Sequence, residues 1–375
     1  MGNRSILVIA DDLTGAAEIA GIALRYGFSS QIVQQLQHPA TADVLVLNSN
    51  SRSLKIDEAL AHLARLFPAA STQNWDWVYL KFDSALRGHI KEELSFFRTL
   101  FQAAYQFFCP VNINLNRVVR GQEYWVSGKP IAQTAFAQDP EFPVRSSKLL
   151  DVVGRDSWTI LPTPAAWEPE LKRVLPAASS WDELHQWAAH IPKEALCAGA
   201  AAFFEALLGK RNPSASIAQQ PAFAGGKTVL YVCGSNHEQS VTRISALTKE
   251  NIIYWQKTGG EWEVAGKLLA LLKKNQVAVF AVLPGVVAKA DVIRRSMAMV
   301  VGMLKGEDMP RELIIEGGAT ANAVLEALEI NVLLPQKEYA PGLIRSHVPQ
   351  QELAITMKPG SYPWTEELWA FGSTT

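Results

Sequence analysis

The chain has 375 residues, of which 48% are hydrophobic and 19% are charged, a balance typical of globular domains with a buried core. Its 35 Lys and Arg residues nearly cancel its 36 Asp and Glu residues, so no overall field favours nucleic acid or an anionic membrane as a partner. The length suffices for two domains, and an anionic ligand has to be held by local groups.

The cysteine spacing and the length of the first apolar run bear on the cellular location of the protein. Cys109, Cys197 and Cys233 are too widely spaced for a metal-binding or CxxC pattern, so we interpret them as small apolar core residues in a reducing environment. The first apolar run stops at Asp11, too early for a signal peptide, and no stretch approaches the roughly 20 apolar residues of a membrane span. We therefore predict a cytoplasmic protein.

The first half of the chain alternates strands with helices, which predicts a largely parallel sheet. The predicted strands are Ile6–Ala10, Gln31–Val33, Val44–Leu47, Trp77–Lys81 and Phe107–Pro110. The predicted helices are Thr14–Tyr26, Ile56–Leu66, Ile90–Phe101, Trp181–His190 and Ala198–Leu208. Residues 112–145 break this rhythm into short β-like pieces with turn residues, a pattern typical of a hairpin insertion.

Residues 211–227 are rich in Pro, Ser, Ala, Gln and Gly and lack periodicity, so we interpret them as a linker between domains at 1–210 and 228–375. The predicted strands of the second domain are Thr228–Cys233, Val277–Leu283, Glu312–Glu316 and Leu353–Met357. Its predicted helices are Gly266–Lys274, Ala288–Leu304 and Thr320–Leu328. The predicted fold class is α/β, with a mostly parallel sheet flanked by helices in each of two domains.

Two aspartates, Asp11 and Asp12, directly follow the first predicted strand. In open α/β sheets, ligands bind at the carboxyl ends of the strands, where this pair falls. Two adjacent like charges cost free energy unless a cation or a proton donor meets them. We therefore expect a substrate hydroxyl, a metal ion or a lysine near the pair.

A second polar group follows the predicted strand Trp77–Lys81 and opens on the same edge if that strand joins the same sheet. Four polar side chains fall within seven residues: Lys81, Asp83, Ser84 and Arg87. Because a guanidinium can bind a carboxylate through two parallel N–H bonds, Arg87 is a candidate for holding an acid, and Asp12 or Asp83 for accepting a hydroxyl proton. The spacing equally supports an alternative in which Asp83 or Ser84 caps the next helix and Lys81 pairs with an aspartate.

Glycine turns follow three predicted strands of the second domain. The turn Glu316-Gly317-Gly318-Ala319-Thr320 combines paired glycines with a helix start, where backbone N–H groups and the helix dipole can bind an anion. Taken alone, this turn is better explained as an ordinary glycine turn capped by Thr320. The turns Cys233-Gly234-Ser235 and Lys358-Pro359-Gly360 favour a nucleotide site along one sheet edge.

Four motifs resemble, in chain order, those of the four-carbon acid sugar kinase family: ADDLTGA at Ala10–Ala16, KFDSALRG at Lys81–Gly88, GGATA at Gly317–Ala321 and KPGS at Lys358–Ser361. The segment at 128–147 also resembles the hairpin of that family, which includes 3-oxo-tetronate, D-threonate and D-erythronate kinases. The resemblance spans essentially the whole chain and is densest before Ser147.

The resemblance implies a first domain that binds the sugar acid, a second domain that binds ATP, and an active site in the cleft between them. It implies ATP-dependent, Mg²⁺-assisted phosphorylation of the terminal hydroxyl of a four-carbon sugar acid in carbohydrate metabolism. The residues that would contact the acid are Asp11, Asp12, Lys81, Asp83, Ser84 and Arg87. Those that would line the ATP site are Ser235, Gly317, Gly318, Ala319, Thr320 and Gly360.

For the mechanism, Asp12 is the predicted catalytic base, with Asp83 as the alternate, and no metal ligand is assigned. The predicted partners are a small-molecule sugar acid and ATP, without nucleic acid or membrane. The sequence leaves open a homo-oligomeric state and the identity and stereochemistry of the acid.

The chain departs from the family pattern at several positions, including the absence of a second serine near residue 237 and an abbreviated region between Ile253 and Leu283. Ala85 replaces the threonine of the usual Asp-Ser-Thr-Leu-Arg-Gly motif, His89 replaces the asparagine that commonly follows it, and Ala319 replaces an acidic residue of many members. An alternative function is therefore a catalytically weakened member that binds a sugar acid or a nucleotide as a sensor. A phospho-acceptor receiver domain also begins with an acidic strand end, but it is discounted because Asn48 stands at its phosphorylation position and the chain is far too long.

Overall fold

The computed structural model describes residues 6–36, 42–67, 75–139, 141–155, 157–211, 228–234, 237–304, 309–360, 364–369 and 371. The chain divides into two compact units, Met1–Ala218 and Gln219–Thr375. Most of the predicted linker, 212–227, lies outside the described residues. No helix within the described ranges combines the length and the apolar character needed to cross a bilayer.

The first unit is built around a parallel sheet. Its strands in chain order are β1 (Ile6–Ala10), β2 (Ser30–Val33), β3 (Val44–Asn48), β4 (Trp77–Lys81), β5 (Gln106–Cys109), β6 (Arg117–Arg120), β7 (Glu123–Val126), β8 (Lys129–Pro130), β9 (Thr159–Leu161), β10 (Arg173–Pro176) and β11 (Leu196–Gly199). In the described part of this unit, eight strands pair in parallel in the order β2-β3-β1-β4-β11-β5-β10-β9. Strands β6, β7 and β8 form a small antiparallel sheet within the segment predicted as a hairpin insertion.

Helices alternate with these strands along the chain. They are α1 (Leu13–Arg25), α2 (Ile56–Leu66), α3 (Ile90–Leu100), α4 (Leu149–Val153), α5 (Trp181–His190) and α6 (Ala201–Arg211). Every residue of the apolar strands β1 and β3 is buried, as expected for central strands of a sheet covered on both faces.

The second unit has a mixed sheet. Its strands are β12 (Val229–Cys233), β13 (Ile252–Trp255), β14 (Val277–Val282), β15 (Glu312–Glu316), β16 (Val332–Ala340), β17 (Leu343–His347) and β18 (Ala354–Lys358). Its helices are α7 (Glu238–Ser245), α8 (Glu261–Asn275), α9 (Ala290–Gly302) and α10 (Gly318–Ala327). Strands β13-β14-β12-β15-β18 are parallel, and β17 and β16 follow them as antiparallel strands. The predicted α/β class with mostly parallel sheets is therefore confirmed.

Two predicted helix starts were wrong, and the first is that of α8, which was expected at Gly266 and lies at Glu261. The helix expected from Ala198 begins at Ala201, and β11 precedes it between β4 and β5. The alanine-rich sequence favours a helix locally. Pairing with β4 and β5 nevertheless stabilises a strand at Leu196–Gly199, because it buries the apolar side chains of this segment. The sequence also did not predict β9, β10, β13, β16 and β17, several of which are too short to show a clear periodicity.

Gly199 is expected to be essential for folding of the first unit. It has a φ of +147°, and a Cβ added there would overlap the backbone carbonyl of Cys109 on β5. We expect Gly199→Ala to lower the free energy of unfolding by more than about 3 kcal/mol, because backbone strain and a main-chain clash add. Gly27→Ala is the control: its φ is +72° but an added Cβ meets nothing within 4 Å, so about 1 kcal/mol is expected. If urea unfolding shows the same loss of unfolding free energy in Gly199→Ala and Gly27→Ala, the proposed clash with Cys109 is wrong.

Candidate active site

The carboxyl ends of β3, β1 and β4 meet at one edge of the first sheet. In the strand register, Asn48 pairs with Ala10, and Ala10 pairs with Lys81. Asp11 and Asp12 leave the sheet between the turns that follow β3 and β4. The structure thus brings the two polar motifs of the first half together.

Arg52, in the turn after β3, is the cation that meets the aspartate pair. Its Nε lies 2.9 Å from Oδ2 of Asp11, its Nη2 lies 2.7 Å from Oδ1 of Asp11, and its Nη1 lies 2.6 Å from Oδ2 of Asp12. Burial alone would lower the pKa of Arg52, but Asp11, Asp12 and Asp83 outweigh it and raise that pKa well above its ordinary value. One guanidinium therefore binds both carboxylates.

Sequence reasoning missed Arg52, since it expected a substrate hydroxyl, a metal ion or a lysine. The residue lies some forty positions from the aspartates, and only the parallel pairing of β1 with β3 brings it to them. The one signal was the polar run at 48–53, which follows an apolar strand just as the aspartates do.

Asp12 also caps helix α1. Its Oδ1 accepts a hydrogen bond of 2.7 Å from the backbone N–H of Gly15, and its φ and ψ are extended. The cap stabilises the helix start and holds the carboxylate at the sheet edge. With 23% of its side chain exposed, Asp12 remains reachable for a ligand, whereas Asp11 is buried.

Lys81 pairs with a glutamate of α1 rather than with an aspartate. Its Nζ lies 3.1 Å from Oε2 of Glu18 and donates to the carbonyl of Phe82 at 3.1 Å. Burial would lower the pKa of Lys81, but Glu18 and the aspartates raise it above its ordinary value. Lys81 therefore contributes a fixed positive charge beneath the edge.

Asp83 is bound by two arginines and closes a tight turn. Its Oδ2 pairs with Nε of Arg87, and its Oδ1 accepts from the N–H of Ala85 at 3.0 Å and lies 3.9 Å from Nη1 of Arg117. Burial would raise its pKa, but Arg52 and Arg87 hold the pKa of Asp83 well below its usual range. The alternative that Asp83 or Ser84 caps the next helix was wrong, because α3 begins at Ile90 with His89 at its cap position.

Arg117, on β6 of the antiparallel sheet, reaches the same edge. Its Nη1 donates to Oγ of Ser84 at 2.7 Å, and its guanidinium lies 5.0 Å from the ring centre of Phe136. Because the Ser84 hydroxyl accepts this bond, its own hydrogen can be donated elsewhere. Sequence reasoning missed Arg117, since nothing in the insertion's sequence indicates which way it folds back.

The glycine turns of the second unit also share one edge. Cys233, Glu316 and Lys358 pair across the neighbouring strands β12, β15 and β18, so Gly234, Gly317 and Gly360 follow at adjacent strand ends. Gly317 has a φ of +95° and precedes α10, whose first backbone bond runs from the N–H of Ala321 to the carbonyl of Gly317. The N–H groups of residues 318–320 precede that bond and have no acceptor within the helix.

Thr320 does not cap α10 through its side chain, so the alternative of a threonine cap was wrong. It is buried, and a Cβ added to Gly234 would overlap its hydroxyl, so the β12 turn and the helix start approach closely only because residue 234 is glycine. Ala319 is exposed at the helix start, while predicted Ser235 lies outside the described residues.

A buried ion pair supports this second edge. Nζ of Lys358 lies 2.7 Å from Oε1 of Glu316 and also donates to the carbonyl of Pro359 at 3.2 Å. The Ser240 hydroxyl donates to the same glutamate oxygen. Lys358 and Glu316 are fully buried, so they fix the strand ends rather than contact a ligand. Among the described residues, no group of three or more His, Cys, Asp or Glu is arranged to hold a metal ion.

Comparison with known proteins gives a family-level match within the first unit and a curated relative that matches most of the chain. Residues 6–166 match the sugar-binding N-terminal domain family. A D-threonate kinase of Bordetella bronchiseptica is 27% identical over 92% of this chain and 90% of that protein. A D-threonate kinase of Salmonella typhimurium is 31% identical over 40% of this chain, and the chain matches only 37% of that relative's length.

Solved structures share the fold. A Salmonella typhimurium LT2 structure covers 96% of both chains with a TM-score of 0.79 at 16% identity. A Bordetella bronchiseptica structure, a domain-swapped dimer with bound citrate, covers 96% of this chain and 95% of that one, with a TM-score of 0.51 at 23% identity.

Proposed function

The chain belongs to the four-carbon acid sugar kinase family, and from this premise we propose that it transfers the γ-phosphoryl group of ATP to the terminal hydroxyl of a four-carbon sugar acid. The observation that carries the proposal is the edge of the first sheet, where Asp11, Asp12 and Asp83 meet the guanidinium groups of Arg52, Arg87 and Arg117. Such an edge offers cations for a substrate carboxylate and a carboxylate for its hydroxyl.

The substrate carboxylate is assigned to Arg87 and Ser84. About a third of the Arg87 side chain is exposed; its Nε pairs with Asp83, and its Nη1 lies 3.7 Å from Oδ2 of Asp139, beyond hydrogen-bond distance. Its two terminal nitrogens can therefore form a bidentate pair with a carboxylate. The hydrogen of the Ser84 hydroxyl is available for a second bond, because Arg117 already donates to its oxygen.

Asp12 is the better candidate for orienting or deprotonating the attacking hydroxyl. A carboxylate whose pKa is held far below its usual range is a weak base, which disfavours Asp83. Asp12 has 23% of its side chain exposed against 12% for Asp83, and each of its oxygens keeps a lone pair beyond the bonds to Gly15 and Arg52.

The nucleotide is assigned to the glycine edge of the second unit. Backbone N–H groups at the start of α10 and the turn at Gly234 suit the phosphates of ATP. Mg²⁺ enters as part of the ATP complex, where the phosphates supply most of its ligands and it neutralises charge. The protein's contribution to phosphoryl transfer is then mainly positioning.

Gly234→Ala is expected to weaken ATP binding selectively. The added Cβ would push the β12 turn away from Thr320 and α10, so we expect the KM for ATP to rise about tenfold or more while the KM for the sugar acid stays within twofold. Gly266→Ala on α8 of the same unit is the control, since an added Cβ there meets nothing within 4 Å. An unchanged KM for ATP in the first variant would argue against this nucleotide site.

A coupled ATP-consumption assay tests the proposed function. The purified protein with Mg²⁺ is given D-threonate, D-erythronate and 3-oxo-tetronates in turn, and we expect acid-dependent ADP release with at least one of them. Absence of turnover with every acid, for a folded protein, would remove the kinase proposal. Calorimetry that then detects acid or nucleotide binding would favour the weakened sensor, for which Ala319 is the motivation. A homo-oligomer is compatible with the domain-swapped dimer of the Bordetella bronchiseptica structure.

A further inference from the structure

Glu93 is a buried carboxyl group that the proposed mechanism does not use. It lies on α3 directly beneath the acidic edge and is 2% exposed. Oε1 of Glu93 lies 2.7 Å from Oγ of Ser51, in the turn that carries Arg52. A buried ionised carboxylate near the negative charge of Asp11 would be costly unless it were paired or protonated.

A chain of hydroxyls connects Glu93 to the backbone of β1. Oγ of Ser51 lies 3.0 Å from Oγ of Ser49, and Oγ of Ser49 lies 2.9 Å from the carbonyl oxygen of Ala10. The chain therefore ends at the residue that precedes Asp11.

Counting hydrogens along this chain favours a protonated Glu93 when the Ser49 hydroxyl donates to the Ala10 carbonyl, which also accepts from the Ser49 N–H at 2.9 Å. A carbonyl oxygen can only accept, so the Ser49 hydroxyl donates to Ala10, and the Ser51 hydroxyl is then left to donate to Ser49. The remaining hydrogen, between Ser51 and Glu93, has to come from the carboxyl group. With Glu93 ionised, three contacts share two hydrogens, and one contact is left without a bond.

We propose that Glu93 is a positioning residue that is held as a neutral carboxylic acid, and that its proton fixes the Ser49–Arg52 turn so that Arg52 stays on the aspartate pair. The proposal deepens the proposed function and rests on it for its kinetic consequences. Loss of the proton would break the hydroxyl chain and would place a new negative charge next to Arg52, weakening the edge that receives an anionic acid.

The groups around Glu93 agree with a neutral state. Burial, and next to it the negative charge of Asp11, raise the pKa of Glu93 to about 8, against the opposing effects of Ser51 and Arg52, and Glu92 on the same helix adds to the rise. On α2, which packs against α3, His62 faces the same turn through a 2.9 Å contact between its Nε2 and the carbonyl of Ser49. On α4, which also packs against α3, Asp151 is bound to Ser146 and Arg155.

The kinetic test compares the KM for the sugar acid at pH 7 and pH 9 in the wild type, Glu93→Gln and Glu93→Ala. We expect the wild-type KM to rise at least fivefold between the two pH values, while the KM for ATP does not follow. In Glu93→Gln the ratio of the KM for the acid at pH 9 to that at pH 7 is expected to stay near one, because the amide can donate to Ser51 but cannot ionise. Glu93→Ala is expected to show a raised KM at both pH values. A Gln variant that keeps the wild-type ratio would overturn the proposal.

Two further measurements do not depend on activity, so a failed kinase proposal would not be confused with a failure here. The infrared difference spectrum of wild type minus Glu93→Gln at pH 7 should contain a protonated-carboxyl C=O band that disappears above pH 8. The folded state holds this proton, whereas the unfolded state releases it above about pH 4.5. The urea midpoint of the wild type should therefore fall relative to that of Glu93→Gln between about pH 5 and 8, and the difference should be constant above pH 8. If this band is absent and the difference in urea midpoint does not depend on pH, Glu93 is not a neutral acid and the proposal is wrong.

Discussion

Arg52→Ala is expected to lower the free energy of unfolding by about 3–5 kcal/mol and to abolish turnover. The variant leaves Asp11, which is 2% exposed, and the partly buried Asp12 as adjacent carboxylates that have lost their hydrogen-bonded cation, with Lys81 as the nearby charge that remains. Removing one partner of a buried ion pair leaves the other partner's desolvation uncompensated, and this accounts for the size of the loss. Urea unfolding, followed by far-UV circular dichroism, measures the first effect, and the coupled assay measures the second.

Two companion variants separate charge from geometry at Arg52. Arg52→Lys keeps the positive charge but loses the bidentate bond to Asp11, so its loss of stability should fall between that of the wild type and that of Arg52→Ala. Adding Asp11→Asn to Arg52→Ala removes one uncompensated charge and should recover part of the stability. A loss below about 1 kcal/mol in Arg52→Ala, the level of a surface pair, would contradict the role given to this arginine.

Asp12→Asn is expected to reduce kcat about 10²- to 10⁴-fold and to lower stability by about 1–2 kcal/mol, because its NH2 group would face Nη1 of Arg52 in place of Oδ2. An amide oxygen caps a helix about as well as a carboxylate oxygen, so the bond from the N–H of Gly15 is retained, but the amide cannot accept a proton. The measurement is kcat at saturating acid and ATP, together with the thermal unfolding midpoint.

Asp43→Asn provides the matched control for that variant. Asp43 accepts bonds from the N–H and hydroxyl of Ser29 and precedes β3, so it is a turn carboxylate at the opposite edge of the same sheet. Its kcat should equal that of the wild type. If Asp12→Asn also kept its kcat within threefold, the role of base would pass from Asp12 to another group.

The first edge illustrates how far local sequence determines a site. The apolar run of β1 followed by two aspartates predicted both a central strand and its functional end, because burial on both faces and abrupt polarity are local properties. The partners of those aspartates could not be predicted. Arg52 reaches them through strand pairing, and Arg117 arrives from a separate sheet, so both depend on contacts between residues far apart in the chain.

The second unit shows the same division. Glycines after three strands indicated close backbone approach, and the parallel order β12-β15-β18 places them at one edge. The sequence did not indicate that Lys358 is withdrawn into a buried pair with Glu316, because a lysine beside a glycine turn is equally typical of a phosphate ligand. Burial distinguishes the two roles, and burial depends on the packing of the whole unit.

Phosphorus NMR of the reaction products tests the central claim most directly. The reaction contains ATP, Mg²⁺ and the acid that supports ADP release. The proposal predicts a new phosphomonoester resonance that is split by the two protons of one carbon atom, as expected for phosphate on a terminal CH₂–O group. A spectrum that contains ADP and inorganic phosphate alone, or a phosphate split by a single proton, would contradict transfer to the terminal hydroxyl.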